Sequence, residues 1–130
     1  MKVGDTFEVK AAVTAADTAE SLGSGGLCVL GTPRLAALME NAAYTLLQRS
    51  LSEGQSSVGT KIELSHVSPT PVGMTVQVTA EVAHISENGK IIDFKVAGYD
   101  EAGLIGEGTH QRAIIDIERF MRKCQSKKES

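Results

Sequence analysis

Residues 32–47 read Thr-Pro-Arg-Leu-Ala-Ala-Leu-Met-Glu-Asn-Ala-Ala-Tyr-Thr-Leu-Leu, and this stretch decides the architecture. At about 100° per residue, Leu38, Ala42, Leu35, Leu46, Met39, Ala43, Ala36, Leu47, Leu51 and Tyr44 fall on one broad arc of a helix. Glu40 projects inside that arc, between Leu47 and Leu51. Its helical neighbours three and four residues away are Ala37, Ala36, Ala43 and Tyr44, so no Lys or Arg of the same helix can pair with it. A carboxylate on an apolar face is costly unless a distant group satisfies it. Such groups mark candidate functional sites. The alternative is a carboxylate at the edge of the buried face that reaches water.

The rest of the chain supplies what covers this helix. Residues 3–14 alternate Phe7, Val9, Ala11 and Val13 with Glu8, Lys10 and Ala12, as a strand does. Residues 15–31 are small and polar, with Gly23-Ser24-Gly25-Gly26 in a row, and read as a mobile loop. Thr32 suits the N-cap of the helix and Pro33 its first turn. The helix runs to about Leu51, and Gly54 stops it. Only strand patterns follow: 58–67, a turn at Pro69–Gly73, then 74–85, 91–99 and 104–117. Glu87-Asn-Gly-Lys90 and Asp100-Glu-Ala-Gly103 read as hairpin turns. Residues 119–130 read as a helical turn and a frayed basic tail.

One strand, one long buried helix and four hairpin-linked strands make an α+β fold with a largely antiparallel sheet. A helix apolar around most of its circumference must be wrapped by that sheet, which is the hotdog arrangement. The whole chain of 130 residues fits a single domain, 1–130.

Composition narrows the function classes. A net charge of −3 argues against a nucleic-acid surface. No apolar run approaches the ~18 residues of a membrane span, and the N-terminus lacks the apolar core of a secretory signal. Cys28 and Cys124 show no metal-ligand spacing, which points to free thiols in a reducing cytoplasm. There is no phosphate-binding Gly motif, serine elbow or zinc spacing.

Three groups could carry chemistry. Thr32 stands at a helix N-terminus, where unpaired N–H groups and the helix dipole favour an oxyanion. His66 follows Ile62 and Leu64 at period two, on the face turned to the helix, and histidine is the proton shuttle near neutral pH. His110 and Arg112 share a strand face with Gly106 and Gly108, whose missing side chains leave room for a ligand or another backbone. Gly59, early in the strand that carries His66, could offer its N–H to a carbonyl.

Taken together, Gly31-Thr32-Pro33-x5-Met39-Glu40-x-Ala42-Ala43, Gly59-Thr60-x5-His66, Thr70-Pro71-x-Gly73-Met74 and Gly106-x-Gly108-Thr109-His110-x-Arg112 resemble the fluoroacetyl-CoA thioesterase-like family of hotdog thioesterases. The resemblance spans roughly residues 3–125. It implies an acyl-CoA thioesterase acting on a short or medium acyl, or small aryl, thioester. It implies a catalytic set of Thr32, Glu40 and His66, and carbonyl and substrate contacts at Gly59, Gly31, His110 and Arg112. It implies no metal and no cofactor beyond the coenzyme A of the substrate. Sites between subunits of a homodimer, or of a tetramer, belong to the same expectation. Residues 8–31 contain no Phe, Tyr or Trp, so the aromatic lid of the fluoroacetate-specific member is missing and its specificity is not implied. The rival functions are a non-catalytic acyl-CoA or small-ligand binder and a hotdog hydratase or dehydratase. The first predicts binding without turnover; the second needs an acid–His motif that the chain lacks.

Overall fold

The computed structural model describes residues 1–129. Five strands, β1 (Thr6–Ala12), β2 (Gln55–His66), β3 (Thr75–Ile85), β4 (Ile91–Asp100) and β5 (Gly103–Asp116), form one antiparallel sheet in the order β1-β3-β4-β5-β2. Two short elements, a 3-10 turn at Ala15–Asp17 and α1 (Ala19–Leu22), precede α2 (Thr32–Gln48). A terminal helix, α3 (Ile117–Gln125), follows β5, and a 3-10 turn continues to Glu129.

The α2 helix packs on one face of the sheet, as its apolar arc requires. Leu35, Leu38, Met39, Ala42, Ala43, Leu46 and Leu47 are buried, against Val76, Val78, Ala80, Val82, Ile92, Phe94, Val96 and Ile105 of the strands. The strand residues alternate at period two, so the other sheet face stays polar. Gly98 and Gly106 are cross-strand partners, and both lie beneath Leu35. A Cβ on Gly106 would stand 2.9 Å from Leu35 Cδ2 and 3.0 Å from the Ser65 carbonyl oxygen; one on Gly108 would overlap the Glu63 carbonyl. Of the two expected occupants, a ligand or another backbone, the space at these glycines is taken by the backbone of β2 together with Leu35 of the helix.

Several boundaries differ from the sequence reading. Helix α2 ends at Gln48, and Leu51 sits in the turn that follows. The arc is also covered on one side only. Ala37, Asn41 and Tyr44 are exposed, and Ala36 and Glu40 are half-buried. Residues 15–31 are not a free loop. Gly31 N–H donates to the Asp17 carbonyl, Ala19 N–H to Val29 and Leu30 N–H to Thr70, while Arg34 pairs with Asp17 at 3.0 Å. The segment is thereby fastened across the head of α2. The C-terminal stretch is helical through Gln125, with Asp116 capping Arg119 N–H. A 3-10 turn continues it as far as Glu129, and Ser130 lies outside the described residues. Among those residues, no helix is long and apolar enough to cross a membrane.

Candidate active site

The head of α2 positions the first group. Gly31, not Thr32, is the N-cap: its carbonyl accepts from Arg34 and Leu35, and its backbone is extended. Thr32 therefore occupies the first helical turn with no capping role, and its hydroxyl turns to β2, 2.7 Å from His66 Nδ1. Gly31 itself serves packing. A Cβ there would lie 3.0 Å from Leu22 and 3.1 Å from the Ala19 backbone, so only glycine lets α1 rest on the helix head.

His66 ends β2 on the face turned to the helix, as the period-two reading requires. Its Nε2 is buried and has no hydrogen-bond partner. A buried polar atom left unpaired costs about 1–3 kcal/mol, and native structures tolerate few of them outside functional sites. Burial pushes the His66 pKa below the ordinary histidine value. The Ser68 backbone offsets part of this. The ring is neutral near pH 7 and able to accept a proton. Thr32 and His66 share a cavity of about 290 Å³ whose other wall comes from the pre-helix segment, at Ala19, Ser24 and Leu30.

The second group lies at the middle of α2. Glu40 and Arg112 line a separate cavity of about 280 Å³ with Ala37, Asn41 and Tyr44. Glu40 has no hydrogen bond or ion pair within 4.0 Å among the described residues. The nearest compensation is the buried Arg112. Burial pulls the Arg112 pKa down while Glu40 and Tyr44 push it back up, and a guanidinium stays charged through such shifts. Its plane also stands 5.6 Å from the Tyr44 ring.

Gly59 sits between these groups. A Cβ on it would stand 3.3 Å from Glu40 Oε2, 3.1 Å from His110 Cε1 and 3.4 Å from Arg112 Nη1. Glycine is what lets the carboxyl approach this strand. The register between β2 and β5 shifts between Gly59 and Lys61, so Gly59 lies at a bulge. The backbone on either side is tied down by side chains of β5. Arg112 donates through Nε to Ser57 Oγ at 2.8 Å and through Nη2 to the Ser57 carbonyl at 3.0 Å. His110 Nδ1 is 2.8 Å from the Lys61 carbonyl, and its Nε2 is 3.1 Å from Arg112 Nη1. A carbonyl can only accept and a guanidinium can only donate. His110 is thus the neutral tautomer with its proton on Nδ1. Burial, foremost, and the Arg112 charge hold its pKa down, against the Lys61 carbonyl and Glu40.

The structure thus joins Thr32 to His66, and Glu40 to Gly59 and Arg112, but it does not join the two sets within one chain. Eight residues of helix separate Thr32 from Glu40, about 12 Å of rise. His110 stands beside Gly59 on the side that faces Glu40, where a Gly59 Cβ would meet it at 3.1 Å, but it does not line the Glu40 cavity. Ser57, which fastens Arg112, escaped the sequence reading. Its signal was a polar residue at period two from Gly59 on a helix-facing strand.

A family model described as fluoroacetyl-CoA-specific thioesterase matches residues 13–118. The fluoroacetyl-CoA thioesterase of Streptantibioticus cattleyicolor is 37% identical over 99 residues, which is 76% of this chain and 70% of that one. The crystal structure of the fluoroacetyl-CoA thioesterase FlK superposes with a TM-score of 0.91 at 33% identity, covering 98% of this chain and 97% of the other. A mutant of FlK in complex with fluoroacetate and CoA gives a TM-score of 0.87 at 33% identity over 92% and 99% of the two chains. A thioesterase-superfamily member from Thermus thermophilus gives 0.89 at 27% identity over 98% and 93%.

Proposed function

The chain belongs to the fluoroacetyl-CoA-specific thioesterase family, a hotdog-fold thioester hydrolase acting on acyl-CoA, and from that premise we propose that it cleaves short or medium acyl, or small aryl, CoA thioesters at a site built from two copies of the chain. The observation that carries this reading is the 2.7 Å contact between Thr32 and His66 beside an unpartnered His66 Nε2. That pair can move a proton but has no carboxyl near it. The missing carboxyl is Glu40, which lies in a cavity of its own on a helix strip the chain leaves exposed. A second copy seated on that strip brings its Thr32 and His66 to this Glu40. The open edge of β2, next to both cavities, offers a place for such pairing. A homodimer with two equivalent sites follows.

The roles follow from chemistry. The Gly59 N–H and the N-terminus of α2 polarise the thioester carbonyl. Glu40 activates water for attack on the acyl carbon, or attacks it directly and is then released by water. Hydroxide is delivered to the acyl carbon and a proton to the departing CoA sulfur. Neutral His66, held by Thr32, relays that proton. The route uses the chain's own groups, with coenzyme A entering as part of the substrate.

The relatives' fluoroacetyl preference does not transfer with the same force. The segment at residues 8–31 carries Leu22 and Leu27, both exposed, where an aromatic lid would need Phe or Tyr. Release of free thiol from a panel of acetyl-, fluoroacetyl-, medium-chain and aryl-CoA thioesters tests the reading. Turnover without a thousandfold fluoroacetyl preference is expected. Binding of the panel without any turnover would instead make the protein a non-catalytic acyl-CoA binder.

A further inference from the structure

A groove of about 510 Å³ lies at the far end of α2, between the β3–β4 hairpin and α3. Its floor is apolar, with Leu51, Ile114 and Phe120; its rim carries Lys90, Arg119 and Lys123. Arg119 and Lys123 are four residues apart on α3 and so share a face, and Lys90 faces them from the hairpin. None of the three forms an ion pair among the described residues, whereas Arg122 on the same helix is paired with Glu118 at 2.9 Å. The acidic lining residue, Asp116, is engaged as the cap of α3 and accepts from Arg119 N–H at 3.0 Å. Three cations against the single carboxylate of Asp116, around an apolar floor in a chain of net charge −3, leave a local positive excess rather than a reflection of overall basicity.

The groove is fixed relative to the Glu40 cavity. Ile117 N–H donates to the Gly54 carbonyl at 2.9 Å, and Ile114 N–H to the Lys90 carbonyl at 2.8 Å. These bonds pin α3 to the start of β2 and the hairpin to β5. Gln55, which lines the groove, and Gly59 share one face of β2, about 13 Å apart at the usual strand rise. An extended phosphopantetheine arm can bridge that span.

We propose that this groove receives the adenosine 3′,5′-bisphosphate end of coenzyme A. The purine lies on Phe120 and the aliphatic floor, and the phosphates meet Lys90, Arg119 and Lys123. This assignment rests on the acyl-CoA reading above and adds the subsite that distinguishes a CoA thioester from a shorter one.

The test compares acetyl-CoA with acetyl-N-acetylcysteamine, which has the thioester but no nucleotide. In the Lys90→Glu/Arg119→Glu/Lys123→Glu protein, KM for acetyl-CoA should rise at least about tenfold, as expected on losing charge-assisted contacts. Its kinetics with the short thioester should match those of the unaltered protein. The milder Lys90→Gln/Arg119→Gln/Lys123→Gln protein should show the same pattern with a smaller rise, which guards against misfolding of the charge-reversed one. An unchanged KM for acetyl-CoA, or equal losses on both thioesters in the milder protein, overturns the assignment. If the unaltered protein hydrolyses neither thioester, the acyl-CoA reading fails separately. Calorimetric titration with adenosine 3′,5′-bisphosphate then decides the groove alone. Binding that the triple substitutions abolish supports it, and no binding to the unaltered protein sinks it.

Discussion

The cavity at the head of α2 and the cavity at its middle are nearly equal in size, about 290 and 280 Å³, yet they hold different chemical groups. The head has a hydroxyl and a neutral imidazole in contact, and no carboxyl. The middle has a carboxyl and a buried guanidinium, and the histidine beside it, His110, has both ring nitrogens engaged by the Lys61 carbonyl and Arg112. The supports differ as well. At the head, the pre-helix segment is strapped over the helix by main-chain hydrogen bonds. In the middle, two buried side chains of β5 grip the neighbouring strand on the side that faces Glu40. Two well-supported but chemically incomplete pockets on one helix are what the proposed pairing with a second copy would join.

The sharpest way to break this comparison is to disable one half. Glu40→Gln keeps size and hydrogen-bonding capacity but removes the base. Loss of at least about 10²-fold in kcat is expected, with far-ultraviolet circular dichroism unchanged. Near-full activity would make Glu40 a structural carboxyl and leave the middle cavity without a function. Next in size is rescue between the halves. Thr32→Ala and Glu40→Gln proteins should each be nearly inactive. In a verified heterodimer, one site collects both defects and the other collects none, so up to half of the sites should recover. No recovery would mean that each site draws Thr32 and Glu40 from the same chain.

A smaller effect sharpens the geometry of the middle cavity. Gly59→Ala puts a methyl 3.3 Å from Glu40 Oε2 and 3.1 Å from His110 Cε1. These neighbours must yield by tenths of an ångström, which is enough to misplace a reacting group. We expect kcat to fall about tenfold while the melting temperature changes little. A fall in stability as large as the fall in rate would show that Gly59 matters for packing alone.

Much of this was legible in the sequence because it rests on local pattern. The 3.6-residue arc announced α2, and Asn88-Gly89 announced a hairpin whose glycine has φ of +73°. What escaped rests on distant contacts. The short α1 has too few residues to show a period, and its anchors are the carbonyls of Val29 and Leu27, which accept from Ala19 and Glu20 N–H. Gly31-Thr32-Pro33 offers two possible caps. Only the position of His66, thirty-four residues on, decides that the threonine hydroxyl is spent on the imidazole and the cap falls to glycine. The candidate residues were likewise visible one by one. Their division into two cavities was foreshadowed only by the 12 Å between Thr32 and Glu40, because His110 and Arg112 act through Ser57 and Lys61 across the β2–β5 ladder.

The finest discrimination between the halves comes from proton linkage. Each has a histidine at or beside it whose folded pKa lies below 6.5, His66 at the head and His110 next to the middle, both through burial first of all. In the unfolded chain both titrate near 6.5. Below that pH the unfolded state binds protons that the folded state refuses, so stability falls as pH drops from about 7 through the folded values. Asp17, whose pKa is lowered from 3.8 chiefly by the Thr14 backbone N–H, changes the balance only at more acid pH. Urea denaturation between pH 7.5 and 5 should therefore show a declining midpoint in the unaltered protein. His66→Gln and His110→Gln should each flatten part of that decline. The His66 change should also remove the acid limb of the kcat profile, since protonation of that ring is what blocks the relay. A His110→Gln protein should keep the acid limb while losing its share of the stability slope. If the two substitutions affected rate and stability alike, the histidines would be doing the same work, and the contrast between the cavities would fail.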